Sequence, residues 1–375
     1  MNSLDEQIRR AIRSEGQISF ARFMELALYC PVHGYYEQER DTTGRAGDYY
    51  TNVNTGRLFG ELLAFQFAQW VSETAYNNRQ LAETVPVQFV EAGAHDGRLA
   101  ADILTWLQEH RPKTSRQLGY WIIEPSVRRQ ILQRENLRNF ARKVVWFDSW
   151  KALPKAGVRG VIFSNELLDA MPVHRLGWDA TRRVWFEWAV TVREGAFVWT
   201  RMPANTVGRD NDSAPIGWPD LQPELLAVMP DNFTTEICPL AENWWRQAAS
   251  ALRRGKLLTI DYGLTAEQFF TPERKEGTLR AYYRHRLSND LLANVGAQDI
   301  TAHVNLTSIQ RAGETAGLKT EMCATQAQFL TDISQRAWQE GSGCGAWTSE
   351  HTRQFQTLTH PEQLGRAFRV LVQER

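Results

Sequence analysis

A chain of 375 residues that is 43% hydrophobic and 23% charged has the composition of a soluble globular protein with room for a large core and more than one domain. Its 43 Lys and Arg balance 43 Asp and Glu, which excludes the strong net field of a nucleic-acid or anionic-membrane binder. No apolar run approaches membrane-spanning length, and Cys30, Cys238, Cys323 and Cys344 are far apart in sequence, as free thiols of a reducing cytoplasm would be.

Leu4, Ile8 and Ile12 recur at helical spacing among Asp5, Glu6, Arg9, Arg10 and Arg13, so the chain is expected to start with an amphipathic helix and not a secretory leader. Gly16 separates it from a second helix, N-capped by Ser19 and carrying Phe20, Phe23, Met24, Ala27 and Leu28. The segment Y-C-P-V-H-G-Y-Y then breaks helicity. Its Cys30 and His33 form a C-x-x-H half-site with no second half, so no metal is expected. Residues 40–54 are polar and Gly-containing, a loop, and residues 55–70 return to a helix with Leu58, Phe59, Leu62, Leu63 and Phe65. Residues 1–80 are thus expected to form a helical lobe.

A strand is predicted from Val87, ending on Glu91 and followed by Gly93 and Gly97 and then a helix through Leu99, Ile103, Leu104 and Leu107. Strand, Gly-bearing turn and helix make the opening unit of a nucleotide-binding α/β sheet, in which the turn lies against a ligand. The next strand, 118–123, ends in Glu124, where a carboxylate can accept from both hydroxyls of a ribose. A third strand, 143–147, is followed by Asp148, and a fourth, 160–163, by S-N-E-L-L-D-A-M-P-V-H. Alternating strands and helices predict a doubly wound, mostly parallel sheet with ligands at the strands' carboxyl ends, where Glu91, Glu124, Asp148 and Asn165 fall.

Residues 175–239 change pattern, with a hairpin around Arg193, Glu194 and Gly195, and are expected to be an inserted lobe over the cleft. A helix stopped at Gly255 and a fifth strand running into Asp261 and Tyr262 resume the sheet. Strands near Leu318 and at 367–372 are expected to complete it, so residues 81–174 and 240–375 form one Rossmann-like domain.

Five separated stretches together resemble one family: G-D-Y-Y-T-N-V-N-T-G-R-L-F-G-E at 47–61, E-A-G-A-H-D-G at 91–97, N-E-L-L-D-A-M-P-V-H at 165–174, I-D-Y-G at 260–263 and Q-D-I-T-A-H-V at 298–304. They look like the MidA-like S-adenosylmethionine-dependent methyltransferases, which are related to the mitochondrial complex I assembly factor that methylates a protein arginine. The resemblance implies a class I methyltransferase fold and S-adenosyl-L-methionine as cofactor. It also implies a protein substrate and a cofactor site built from Gly47, Asp48, Tyr49, Thr51, Glu91, Gly93, His95, Gly97, Glu124, Asp148 and Asn165. The family carries Pro-Gly after the first glycine of its loop where this chain has Ala94 and His95, and a side chain with a Cβ resists positive φ.

Methyl transfer needs alignment, exclusion of water and one proton acceptor. An arginine acceptor is held best by carboxylates that meet its planar fork, a task assigned to Glu166 and Asp169 beside Asn165, with His174 as a further catalytic candidate. His303 is a further candidate for the site, and both histidines can equally be hydrogen-bonded structural residues. A non-catalytic scaffold that keeps the fold, a small-molecule methyltransferase and a nicotinamide-dependent oxidoreductase stay open. The last lacks G-x-G-x-x-G, because His95 occupies the second glycine position. Oligomeric state is open, with a homodimer among the options.

Overall fold

The run at Val87 becomes an inner strand of an eight-stranded sheet, seven strands in one path and Val304–Asn305 paired beside Gly263 and Leu264, in the computed structural model, which describes residues 3–38, 51–76, 86–204, 218–219, 221–284, 286–339 and 347–375. The strands are β1 (Val87–Ala92), β2 (Leu118–Ile123), β3 (Val144–Phe147), β4 (Val158–Asn165), β5 (Leu252–Leu264), β6 (Lys319–Thr325) and β7 (Phe368–Glu374). Their spatial order is β3-β2-β1-β4-β5-β7-β6, parallel except for β7, which runs antiparallel to both neighbours. The order reverses between β1 and β4, and in such sheets ligands bind outside the strands' carboxyl ends at that switch point.

The chain divides into two units, and the sheet belongs to the one formed by Tyr50–Leu167, Trp245–Tyr262 and Gly313–Arg375. The helix Leu58–Tyr76, expected in an N-terminal lobe, packs in this unit instead. Leu58, Phe59, Leu62, Leu63, Phe65 and Phe67 are all fully buried, so the helix is apolar around most of its circumference and has no solvent face to spare. Phe67 lies 5.4 Å from Phe89 of β1 and 5.0 Å from Phe163 of β4, ring centre to ring centre. Gly160 and Gly255 sit opposite each other in the β4–β5 pair with φ of 144° and 124°. A register shift between Leu252 and Arg254 lets their backbones come close there.

The other unit comprises Met1–Tyr49, Leu168–Trp244 and Gly263–Ala312. Two helices, Leu4–Glu15 and Phe20–Tyr29, match the predicted pair, and the Ser19 hydroxyl accepts from the Arg22 N–H as the expected N-cap. Its main sheet is antiparallel, in the order Ile18–Ser19, Val184–Arg193, His174–Asp179, Thr234–Ile237, with Ala196–Pro203 also paired to Val184–Arg193. The hairpin turn is Glu194-Gly195, both at positive φ (51° and 79°), which suits the twist of the flanking strands.

Residues 263–312 were expected to continue the Rossmann-like domain, and here the structure differs. Leu279, Ala281, Leu292 and Ile300 share a buried core with Ile8, Phe20, Phe23 and Leu28 of the N-terminal helices. The lobe expected over residues 175–239 is therefore larger than the insertion and includes both chain segments. No helix among the described residues is long and apolar enough to cross a membrane.

Candidate active site

The loop after β1 turns on three residues at positive φ: Gly93 (74°), His95 (48°) and Gly97 (86°). A Cβ on Gly93 would sit 2.8 Å from Leu167 Cδ1 at a φ that side chains rarely adopt, so that position disfavours one. His95 takes the left-handed conformation despite its Cβ, one of the few non-glycine types enriched there. The loop is held from outside: Gln133 Nε2 donates to the His95 carbonyl at 3.0 Å and Asn136 Nδ2 to that of Asp96 at 2.9 Å. Burial opposes ionisation of Asp96. The hydrogen bond and charge of His95, with the Arg98 N–H and guanidinium, outweigh it and hold the carboxyl far below the ordinary range. Asp96 Oδ1 accepts the Arg98 N–H at 3.0 Å where the next helix, Arg98–His110, begins.

Glu91 turns inward. It is 3% exposed, its Oε2 accepts from the Tyr120 hydroxyl at 2.6 Å, and burial pushes its carboxyl up to about 7. Glu124, directly after β2, is also buried, but its carboxylate is held at both oxygens. Oε1 accepts the Ser126 N–H at 3.0 Å and Oε2 accepts Gln133 Nε2 at 3.1 Å. Asp148, after β3, is exposed and accepts the Ser149 hydroxyl at 2.8 Å.

The fourth strand ends at Asn165, and Glu166 follows at φ 51°. Its Oε1 accepts the Asn52 N–H at 2.9 Å and the Asn165 amide at 3.0 Å. Asn52 is fully buried, donating through Nδ2 to Asn165 Oδ1 at 3.2 Å and accepting from Gln326 at 2.8 Å. Asp261, at the end of β5, accepts the Leu167 N–H at 3.1 Å. Desolvation pushes the Glu166 carboxyl up to about 8 against the pull of Asn52 and Asn165, and the charge of Asp261 adds to the rise.

The structure thus joins Asn165 and Glu166 to Asn52, and Glu124 to His95 through Gln133. Sequence reading missed both connecting residues. Asn52 lies inside the 47–61 stretch that carries the resemblance, so its signal was present. Gln133 gave none, because a glutamine among the arginines and glutamines of its helix looks like any solvated position. Thr51 Oγ1 accepts the Asn54 N–H at 3.2 Å, while Gly47, Asp48 and Tyr49 lie outside the described residues. Asp169 and His174 belong to the other unit. There the Asp169 carbonyl accepts the Ala302 N–H at 2.9 Å, and His174 Nδ1 lies 2.7 Å from Oε1 of buried Glu187. Also in that unit, burial lowers His303 to about 4, so its imidazole is neutral near pH 7. Among the described residues no cluster of His, Cys, Asp or Glu is arranged to hold a metal, and Cys30 bonds Gln7 at 3.1 Å.

A family model of S-adenosyl-L-methionine-dependent methyltransferases matches residues 62–324. The chain belongs to that family. This methyltransferase is 30% identical to a methyl-transferase-type protein of Burkholderia thailandensis whose crystal structure holds S-adenosyl-homocysteine. The match covers 99% of this chain and 92% of that one with a TM-score of 0.81. It is also 26% identical to the mitochondrial protein arginine methyltransferase NDUFAF7 homolog of Drosophila melanogaster, over 98% of this chain and 84% of that protein. The Xenopus tropicalis NDUFAF7 is 25% identical over 98% and 85%. The residues present fit the family's cofactor in their chemistry: left-handed residues turn the loop at a helix N-terminus, and a carboxylate held at both oxygens stands at the second strand's tip.

Proposed function

We propose that this methyltransferase acts on a protein arginine, and that Glu166 holds the acceptor. The reading is carried by the Glu166 carboxyl, which is fixed at the end of β4 by the Asn52 N–H and the Asn165 amide in a backbone conformation that a glutamate rarely adopts. It is supported by the printed names of the Drosophila and Xenopus relatives, which are protein arginine methyltransferases. S-adenosylmethionine, when bound, supplies a methyl whose C–S bond breaks as a C–N bond forms, leaving S-adenosylhomocysteine while the accepting guanidinium releases one proton.

In this reading Glu124 receives the ribose hydroxyls, and Gly93, His95 and Gly97 shape the loop against the amino-acid end, with Glu91 beneath it. Gly47, Asp48, Tyr49 and Thr51 cover the cofactor, and Asp148 stands near the adenine. Glu166 pairs with the guanidinium, whose charge draws the raised carboxyl back to its ionised form and leaves a nitrogen directed at the methyl. Asp169 and His174 enter the reading from the N-E-L-L-D-A-M-P-V-H motif alone. The free thiols of Cys30, Cys238 and Cys323 favour a reducing compartment, for which we propose the cytoplasm; the animal relatives are named mitochondrial.

The test uses methyl-labelled cofactor with a lysate of the protein's own cell. Label is expected on an arginine of a protein, and E166Q is expected to lose transfer at least tenfold while still binding S-adenosylhomocysteine. Label confined to a small molecule, or transfer undiminished in E166Q, defeats the reading.

A further inference from the structure

Gln133 is fully buried, the one buried residue of the helix Val127–Asn136. Its side-chain oxygen accepts the Trp146 indole N–H at 3.0 Å. An indole nitrogen can only donate, so this bond fixes which way the amide faces. The amide nitrogen then meets two acceptors, the His95 carbonyl at 3.0 Å and Glu124 Oε2 at 3.1 Å. An amide nitrogen carries two hydrogens, so each acceptor receives one.

Those acceptors lie in different parts of the cofactor site. His95 belongs to the loop after β1 and Glu124 to the tip of β2. The same helix touches the loop again through Asn136 on the Asp96 carbonyl, and its C-cap, Leu137, lies so close that its Cδ1 would be 3.1 Å from a Cβ on Gly97. The Gln133 amide reaches both loop and carboxylate. With the Ser126 N–H on the opposite oxygen, it fixes the plane of the Glu124 carboxylate. A leucine of similar size would leave the Trp146 indole N–H, the His95 carbonyl and Glu124 Oε2 without this partner, so the polar side chain has a task beyond packing.

We propose that Gln133 is a positioning residue that holds the Glu124 carboxylate in register with the glycine loop and thereby sets the preference for a ligand bearing an intact ribose diol. This rests on the reading of Glu124 as the ribose partner.

The test compares S-adenosylhomocysteine with its 2′-deoxy analogue by titration calorimetry on the full chain. Wild type is expected to prefer the ribose form by roughly ten- to a hundredfold, the scale of one hydrogen bond to a charged group. In Q133L that ratio falls to the few-fold value of E124A, and Q133L/E124A falls no further than E124A. W146F keeps the amide but removes the donor that orients it, so its ratio is intermediate; it serves in place of Q133L if that variant does not fold. Q133E sets a second carboxylate against Glu124, so its affinity relative to wild type is lowest at pH 8 and recovers at pH 5.5. A ratio that stays at the wild-type value in Q133L and W146F, even with both affinities lowered alike, leaves Gln133 a packing residue and overturns the proposal. Wild type that binds both forms alike, or a ratio unchanged in E124A, overturns the ribose reading itself, and the proposal with it.

Discussion

Glu91 and Tyr120 make a buried pair whose charge state is set by the protein interior. The folded Glu91 carboxyl titrates near 7 and the free one near 4.5, so between those values the native chain keeps a proton that the unfolded chain has lost. Its stabilising contribution is complete below about pH 4.5 and disappears as the pH climbs to about 7. The Glu166 carboxyl, raised to about 8, acts in the same direction. Thermal melts should therefore show stability falling from pH 5 to pH 8. E91Q keeps an acceptor for the Tyr120 hydroxyl but carries no charge, so it should flatten that slope and gain up to roughly 3 kcal/mol over wild type at pH 8. A parallel slope in E91Q would place the titration elsewhere. His95 shows where reading by residue type stops: its Cβ argues against positive φ, and the carbonyl contact from Gln133 that helps hold it there comes from a residue 38 positions away in sequence.

Individual strands were legible as apolar runs ending in acids or amides. β1, β2 and β3 begin and end within a residue or two of their expected bounds, because each writes itself as a short run of apolar residues, in β1 and β2 from burial within the sheet and in β3 even though it is an edge strand with Val145 exposed. Their spatial order was not legible, since it depends on pairings such as Val90 with both Trp121 and Ile162 that no local pattern encodes. The helix Leu58–Tyr76 was recognised as a helix but assigned to the wrong body, for its apolar residues say that it is buried and not against what. Strand-level accuracy also missed the Gly160–Gly255 contact. A Cβ on Gly255 would land on the Gly160 carbonyl oxygen, at a φ that other residues avoid. G255A should accordingly cost more than about 2 kcal/mol in chemical denaturation. The same change at Gly16, where no atom lies within 4 Å of an added Cβ, should cost only its φ strain.

Each of the two units is assembled from three separate segments of chain, so stability, ligand response and integrity of the fold are properties of the whole polypeptide. S-adenosylhomocysteine at a hundred times its dissociation constant should add about 2.7 kcal/mol to the native state and raise the melting temperature by several degrees. NAD should leave it unchanged, because His95 stands where a pyrophosphate needs glycine. A differential scanning measurement with each ligand decides this.

β7 is the latest strand in sequence and yet an inner one, lying between β5 and β6. Both of its neighbours lie earlier in the chain, so the sheet closes only when residues 368–374 are seated between them. A substitution that unseats β7, such as L371P, would bare the facing backbone of both β5 and β6. Such a variant would be expected to aggregate rather than lose activity quietly.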